Sequence, residues 1–231
     1  MTGAVVVGVT PLQMSDWAFV LENVDYLFGG LVLTIMLTVV SIVVGFLVGF
    51  PAGAIEVYGG RWSSGIVKVF GTILRGTPLL VIFIFTFFVF PIGDAFLAAI
   101  LGLGLRSAAY QSQIFRGTLQ SVSSGQMEAA RSIGMTRLKA IYYVIVPQAL
   151  RRSMPGFQNE FTIVLKDTSI AFAIGFAELL TRSYDLFVQQ TTAVLEVILF
   201  VSAIYFVLTF GTNRSLDYLQ SVYAIPMGDN E

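Results

Sequence analysis

Residues 26–55 read YLFGGLVLTIMLTVVSIVVGFLVGFPAGAI and contain no Asp, Glu, Lys or Arg. A helix needs about 20 consecutive apolar residues to cross the hydrocarbon core of a bilayer. The stretch is longer than that, and the charged residues Asp25 and Glu56 flank it directly. The sequence therefore predicts a membrane protein built from helices.

The composition of the whole chain supports this prediction. Of its 231 residues, 56% are hydrophobic and 12% are charged, about half the charged fraction of a soluble domain. The net charge of −1 gives no basic patch that would indicate a nucleic-acid partner. Cysteine and histidine are absent, which excludes disulfides, thiol chemistry and histidine general bases, and no metal site is predicted.

Four further membrane spans follow from the apolar pattern, although charged residues interrupt some of them. The predicted spans are 76–93, 95–115, 155–176 and 193–213. A start of the second span nearer to Ile66 is an open alternative. The predicted fold class is all-α, a polytopic membrane helix bundle of about five transmembrane helices.

The distribution of Lys and Arg predicts the orientation of the bundle. The connection before the second span is basic, the turn at Asp94 carries no base, and the connection 116–152 is strongly basic. Cytoplasmic loops carry the excess of Lys and Arg, so we expect the N-terminus outside and the C-terminus inside. The predicted parts are an extracytoplasmic segment 1–25, a transmembrane domain 26–213 and a cytoplasmic tail 214–231.

Two short patterns concern the geometry of the first two spans. Ser41, Gly45, Gly49 and Gly53 recur every four residues, and small residues on one helix face let two backbones approach closely in lipid. Close helix packing and a moving seam are both compatible with this pattern. The stretch 75–80, RGTPLL, is compatible with a bent start of the second span or with a basic anchor at the membrane edge.

A polar insert, residues 126–147, interrupts the apolar pattern and contains the candidate coupling residues Glu128, Ala129, Ala130, Gly134 and Pro147. We expect Glu128 in the first turn of a short helix, where a carboxylate complements the helix dipole. Gly134 suits a left-handed end of that helix. A second helix would begin after Thr136 and end before Pro147. A docking surface for a partner protein and a solvated helical hairpin are the two interpretations.

Ionisable groups inside the spans are the candidates for a substrate pathway, because such groups face a partner or a polar cavity. An amino acid carries an ammonium and a carboxylate, and negative and positive side chains in the pathway would bind these two groups. Internal pairing of Arg106 with Glu160, or of Lys166 with Asp167, is the structural alternative. The candidate pathway residues are Arg106, Asn159, Glu160, Lys166, Asp167 and Thr168.

Several strings together resemble the permease subunits of polar amino acid ABC importers. The polar insert resembles the EAA loop of these permeases, and residues 75–80 resemble their RGTPLL string. Residues 109–117 are similar to the segment AYxxEIxRGG, residues 147–151 to PQALR, and residues 165–169 to LKDTS. Two positions depart from the family pattern: Gln113 stands where Glu is frequent, and Arg106 stands where a neutral residue is usual.

The resemblance implies a type I importer permease that moves substrate by alternating access and is not itself an enzyme. Its implied partners are an ATP-binding subunit that docks on the polar insert, an extracytoplasmic solute-binding protein and a second permease subunit, identical or homologous. No cofactor is implied in this chain, since the partner subunit binds ATP and Mg²⁺. The implied location is a prokaryotic cell membrane, in contact with its lipid.

Two other functional classes were weighed against this one. An ion-coupled secondary transporter or channel would need no ATPase, but five spans lack the paired halves usual in such carriers unless the chain dimerises. An intramembrane enzyme would need a nucleophile and a base, and the sequence shows no such pair. The chain also lacks the Gly-rich phosphate loop of nucleotide-binding proteins.

Overall fold

The computed structural model describes residues 12–90 and 92–223, and every regular element within these ranges is a helix. This confirms the all-α fold class. The α-helices are α1 (Leu12–Glu22), α2 (Val24–Tyr58), α3 (Arg61–Gly76), α4 (Leu79–Phe88), α5 (Ala95–Ser121), α6 (Ser124–Ser132), α7 (Arg137–Ala140), α8 (Val146–Asp167), α9 (Leu179–Gln189) and α10 (Val194–Tyr223).

The long apolar runs form the longest helices. Within the described residues, the stretches Val24–Tyr58 and Thr191–Tyr218 are each long and apolar enough to cross a membrane, and the bent pair α3–α4 would be a third if its two helices form one span. The helices α5 and α8 are also long enough, but they carry the charged residues on which the site depends. The total of five spans therefore stays a prediction.

The predicted second span, 76–93, is α-helical over Leu79–Phe88, and a sharp bend lies at its start. The chain turns by 105° between α3 and α4. Thr77 is extended, with φ −91° and ψ 131°, because the ring of Pro78 disfavours helical backbone at the preceding residue. Arg75 Nη1 donates to the backbone oxygen of Ala109 on α5, at 2.8 Å. The bend predicted from the RGTPLL string is thus present, and Arg75 anchors it to another helix rather than only to the membrane edge.

The helix of the fourth span begins earlier than predicted. Helical backbone continues from α7 through a π-helical turn, Ile141–Ile145, into α8, and then changes to a 3₁₀ segment, Thr168–Ile174. The expected helix end before Pro147 is wrong. Proline has no N–H and its ring crowds the carbonyl one turn earlier, and the wider π turn directly before it lets the helix continue.

The row of small residues on α2 forms its contact with α5, which confirms close helix packing. A Cβ added at Gly49 would lie 2.6 Å from the backbone oxygen of Ala108, and one at Gly53 would lie 2.7 Å from that of Ser112. Both distances are shorter than any normal contact of a Cβ atom. The two backbones therefore touch along a line where only glycine fits.

The ends of the described chain pack onto the bundle. In α1, the buried Asp16 accepts hydrogen bonds from Gln190 Nε2 at 2.6 Å and Thr192 Oγ1 at 3.0 Å. The predicted domain boundary at residue 213 falls inside the continuous helix α10. The division into outer segment, transmembrane domain and inner tail stays a prediction, and residues 1–11 and 224–231 lie outside the described residues.

Candidate functional site

A charge cluster, formed by Arg106, Glu160 and Asp167, lies where α5 meets α8. Arg106 forms an ion pair with Asp167, the last residue of α8, and its guanidinium lies 5.1 Å from the ring centre of Tyr110. The structural alternative, internal pairing, is seen with other partners than the two weighed from the sequence, which were Arg106 with Glu160 and Lys166 with Asp167. The crossing of α5 and α8 places Asp167, not Glu160, beside Arg106, and Lys166 projects from the exposed side of α8.

Glu160 takes a different partner in the same cluster. Its side chain is 4% exposed, and its Oε1 accepts a hydrogen bond of 2.8 Å from Ser107 Oγ. Ser107 in turn accepts from Gln111 Nε2, at 3.0 Å. The cluster therefore holds one paired carboxylate, on Asp167, and one carboxylate bound only by a neutral hydroxyl, on Glu160. Arg106 and Asp167 compensate each other, so the net charge of the cluster depends on Glu160.

Polar atoms with unused hydrogen-bonding capacity surround this cluster. Within the described residues, Ser41 Oγ, Gln111 Oε1 and Arg106 Nε are buried and have no hydrogen-bond partner. A Cβ at Gly45 would lie 2.3 Å from Gln111 Nε2, so glycine leaves the space that the Gln111 side chain occupies. Since buried polar atoms are normally paired, this concentration at one place indicates a site that accommodates polar groups.

Sequence reasoning missed Ser107 and Gln111. Their spacing of four residues puts them on one face of α5, and two polar residues on one face of an apolar span were a usable signal. The structure places that face against the small-residue row of α2. The other candidate pathway residues lie differently. Asn159 and Lys166 are exposed, whereas Thr168 is fully buried and donates to the backbone oxygen of Leu165 at 2.7 Å.

The polar insert begins with α6, whose end matches the prediction from Gly134. Gly134 has φ +88°, its N–H donates to the oxygen of Arg131, and the N–H of Met135 donates to the oxygen of Ala130. This is the Schellman arrangement of a helix end, which requires a left-handed residue. Thr136 Oγ1 accepts from the N–H of Lys139 at 3.4 Å, as expected of the cap of the next helix.

The position of Glu128 differs from the prediction. Ser123 caps α6 through the N–H of Gly125, so the helix begins at Ser124 and Glu128 lies in its second turn. Its carboxylate is therefore not adjacent to the free N–H groups of the helix start. Glu128, Ala129, Gly134 and Pro147 are exposed, and Ala130 is buried.

An apolar surface accompanies these exposed residues of the polar insert. Ile133 is 77% exposed and Leu138 is 79% exposed. Both lie at the helix ends next to Gly134, and basic side chains at Arg131 and Arg137 flank them. Large aliphatic side chains with this exposure mark an interaction surface when they occur together beside a polar rim.

The polar insert packs against the helices of the charge cluster through a small apolar core, on which Met127 of α6 lies. Arg152 of α8 donates through Nη1 to the backbone oxygen of Ser121, the last residue of α5, at 2.5 Å. The small apolar core joins the same regions and contains Leu119, Val122, Ile145 and Ala149. A displacement of α6 would therefore move the C-terminal end of α5 and the N-terminal end of α8, the two helices that carry Arg106 and Glu160 further along.

A second carboxylate, absent from the sequence-based candidates, lies on α2. The Glu56 side chain is 1% exposed and forms an ion pair with Arg116 at 3.5 Å. Gln113 Nε2 donates to Glu56 Oε1 at 2.9 Å. Glutamate is frequent at position 113 in the permeases that the sequence resembles. A glutamate here would face Glu56 and carry the same charge. Gln113 instead supplies a donor, and the group ties α2 to α5.

Comparisons with known proteins agree with these features. The chain is 32% identical over 200 residues to the glutamine transport system permease protein GlnP of Escherichia coli (strain K12), covering 84% of this chain and 91% of that protein. It is 36% identical over 154 residues to the L-cystine transport system permease protein TcyB of Bacillus subtilis (strain 168), covering 65% of this chain and 64% of that protein.

Solved structures and a family pattern give the same result. A chain from the crystal structure of an amino acid ABC transporter with histidines superposes with a TM-score of 0.80 and 32% identity, covering 93% of this chain and 99% of that one. Residues 41–222 match the family described as binding-protein-dependent transport system inner membrane component. The resemblance found in the sequence is thereby confirmed, and the chain belongs to this family of inner membrane transport components.

Proposed function

We propose that this chain is the membrane-spanning permease subunit of an ATP-driven importer of polar amino acids. The amino acid cargo is inferred from its relatives, which are permeases named for glutamine and L-cystine. A separate subunit would bind and hydrolyse ATP with Mg²⁺, an extracytoplasmic solute-binding protein would deliver the cargo, and a second permease subunit, identical or homologous, would complete the pathway. The N-terminus would lie outside and the C-terminus inside.

The observation that carries this proposal is the mechanical connection between the polar insert and the charge cluster. The exposed surface around Ile133 and Leu138 offers a docking face, with Glu128, Ala129, Ala130, Gly134 and Pro147 at or beside it. Met127 of α6 packs against the small apolar core between α5 and α8, and Arg152 ties α8 to the end of α5. Closure of the ATP-binding subunits would then shift these helices against α2 and alternately expose the cluster to the two sides of the membrane.

The composition of the charge cluster supports a zwitterionic cargo. Arg106 would offer a positive group for a carboxylate by exchanging its partner Asp167, and Glu160, which is bound by Ser107, would offer a negative group for an ammonium. The unused polar atoms on Ser41 and Gln111 add further hydrogen-bonding positions. Because Glu160 is a carboxyl group of the cluster without an ion-pair partner in the described part of the chain, we expect cationic and neutral amino acids to be carried better than acidic ones.

Reconstitution tests the proposed function directly. Vesicles would contain the permease complex with its ATPase, and labelled amino acid would be supplied with the solute-binding protein. Uptake should require ATP, the permease, its ATPase and the solute-binding protein. It should need no nucleic acid. Accumulation in vesicles that contain only this chain would overturn the proposal in favour of an ion-coupled carrier or channel.

Two substitutions at Gly134 test the docking face. Gly134→Val forces a β-branched residue to φ +88°, where strain costs about 1–2 kcal/mol, and should abolish uptake while the chain stays in the membrane. Gly134→Asn is the matched control, because asparagine tolerates the left-handed region, and it should retain uptake. Normal uptake by Gly134→Val would remove the assigned role of this helix end.

A substitution at Glu160 tests the pathway. Glu160→Gln keeps an acceptor for Ser107 Oγ but removes the charge, so competition uptake should shift from cationic towards neutral amino acids. Arg106→Ala should impair amino acids more than the corresponding decarboxylated amines. Unchanged preferences with intact transport would leave both residues with a structural role only.

A further inference from the structure

The helix α3 carries basic residues that form no ion pair within the described residues. Its basic residues, Arg61, Lys68 and Arg75, recur every seven positions and so share one face, and α3 contains no Asp or Glu. Arg75 is bound to α5, but Arg61 and Lys68 are exposed, and within the described residues neither forms an ion pair. Two cations on one helix face therefore lack a counter-charge.

The opposite side of α3 is apolar and equally exposed. Trp62 is 86% exposed, and the other large side chains of this face are between 57% and 64% exposed. The helix packs on the bundle through the small residues Ser64 and Gly71. The large apolar residues on the exposed face are Trp62, Ile66, Val69, Phe70 and Ile73.

Contacts at its two ends show that α3 lies across the bundle rather than along it. Near its start, Ser64 Oγ donates to the backbone oxygen of Glu56, whose side chain contacts Gln113 on α5. Near its end, Arg75 contacts Ala109 on α5. The α3 segment between these contacts is roughly 16 Å long, whereas Ala109 and Gln113 are only roughly 6 Å apart along α5. The two helix axes are therefore steeply inclined.

The depth of α3 matches a membrane interface. Counted from Ala95 at the start of α5, Ala109 lies roughly 21 Å and Gln113 roughly 27 Å along the helix axis. The hydrocarbon core is about 30 Å thick. With the start of α5 at one boundary, the contacts of α3 at Gln113 and Ala109 lie roughly 3 Å and 9 Å inside the other boundary, on the side of the polar insert. This is the depth to which an interfacial helix buries its apolar face. The turn of 105° then directs α4, roughly 15 Å long, into the hydrocarbon.

We infer that α3 is an interfacial helix that binds anionic phospholipid headgroups of this leaflet through Arg61 and Lys68. Its apolar face inserts among the acyl chains, and the two cations meet phosphate and headgroup charge at the surface. An amphipathic helix with basic residues beside an aromatic and aliphatic face is the usual structure for such binding. Because α3 is tied to Glu56, Gln113 and Ala109, bound anionic lipid would also stabilise the inner ends of α2 and α5.

Fluorescence quenching by lipid tests this inference on the full-length chain. Trp17 and Trp62 are the two tryptophans of the sequence, so Trp17→Phe leaves Trp62 as the reporter on α3. The chain would be placed in phosphatidylcholine vesicles that contain either brominated phosphatidylcholine or brominated phosphatidylglycerol at equal mole fraction. Trp62 should be quenched more strongly by the anionic lipid, and added salt should reduce the difference.

Charge-removing variants separate headgroup binding from simple insertion. Arg61→Gln with Lys68→Gln should lower the preference for the anionic lipid by about 5-fold for each charge removed, while quenching by phosphatidylcholine is retained and reports correct insertion. Arg214→Gln, an exposed base on α10, is the matched control and should keep the preference. Equal quenching by the two lipids in the chain with Arg61 and Lys68 intact would overturn the inference. Absence of quenching by either lipid would also overturn it and would indicate that another protein surface covers Trp62.

Discussion

Replacing Gly49 by alanine tests whether backbone contact between α2 and α5 holds the bundle together. A Cβ at Gly49 would lie 2.6 Å from the backbone oxygen of Ala108 and 3.0 Å from Gln111 Cβ. The nearer atom belongs to helix backbone, so no side-chain rotation relieves the clash. The two helices must move apart, and the contacts at Gly45 and Gly53 are loosened with them.

The expected magnitude is the difference of two effects. Alanine in place of glycine in a helix stabilises the fold by about 0.5–1 kcal/mol, chiefly by restricting the unfolded chain. Overpacking of a close interface costs about 1–3 kcal/mol, so Gly49→Ala should destabilise the chain by about 1–2 kcal/mol. At Gly117, on α5, a Cβ would have nothing within 4 Å, and Gly117→Ala should keep only the stabilising effect.

Thermal unfolding of the purified chains in detergent, followed by tryptophan fluorescence, measures this difference. A change of 1 kcal/mol shifts the midpoint by about 2–4 °C for a chain of this size. The midpoint of Gly49→Ala should therefore lie roughly 5 °C or more below that of Gly117→Ala. Equal midpoints, or a lower midpoint for Gly117→Ala, would refute the argument that the row of glycines is needed for close packing.

Three further predictions concern polar contacts between helices. Asp167→Asn leaves the partly buried Arg106 without a counter-charge and should cost about 2 kcal/mol in unfolding free energy; adding Arg106→Gln should recover part of it, and no recovery would contradict the pairing. Glu56→Gln keeps an acceptor for Gln113 and should lower the free energy of unfolding by less than about 1 kcal/mol, whereas Glu56→Leu should lower it by more. Both values would be measured by the same unfolding experiment. Arg75→Gln releases α3 from Ala109, so spin-label distances between α3 and α4 should broaden, and an unchanged distribution would show that Pro78 alone sets the bend.

The features that depend on neighbouring residues could be predicted from the sequence. Gly134 ends α6 in the left-handed region, and Thr136 caps the next helix, because both effects act over a few residues. The small-residue row of α2 also predicted a close contact, since only close approach explains so many small side chains on one face. The sequence alone did not show which helix makes that contact.

Two errors in the polar insert also have local causes. Glu128 lies in the second turn because Ser123, and not a residue nearer to Glu128, caps α6. Pro147 does not end its helix, because the π turn before it relieves the steric conflict with the preceding carbonyl. Proline normally indicates a helix boundary, and whether a wider turn replaces that boundary depends on the packing of Ile145 and Ala149 below it.

By itself, the sequence determined that the chain is a membrane bundle, which permease family it resembles, and where the first short helix of its polar insert ends and the second begins. Apolar run length, residue spacing and cap chemistry are properties of neighbouring residues, so they can be read before folding is known. Only the tertiary structure decided that Arg106 pairs with Asp167, that Glu160 meets Ser107, and that α3 lies across α5. These contacts join residues far apart in the chain, and they depend on how helices cross, which no single helix specifies.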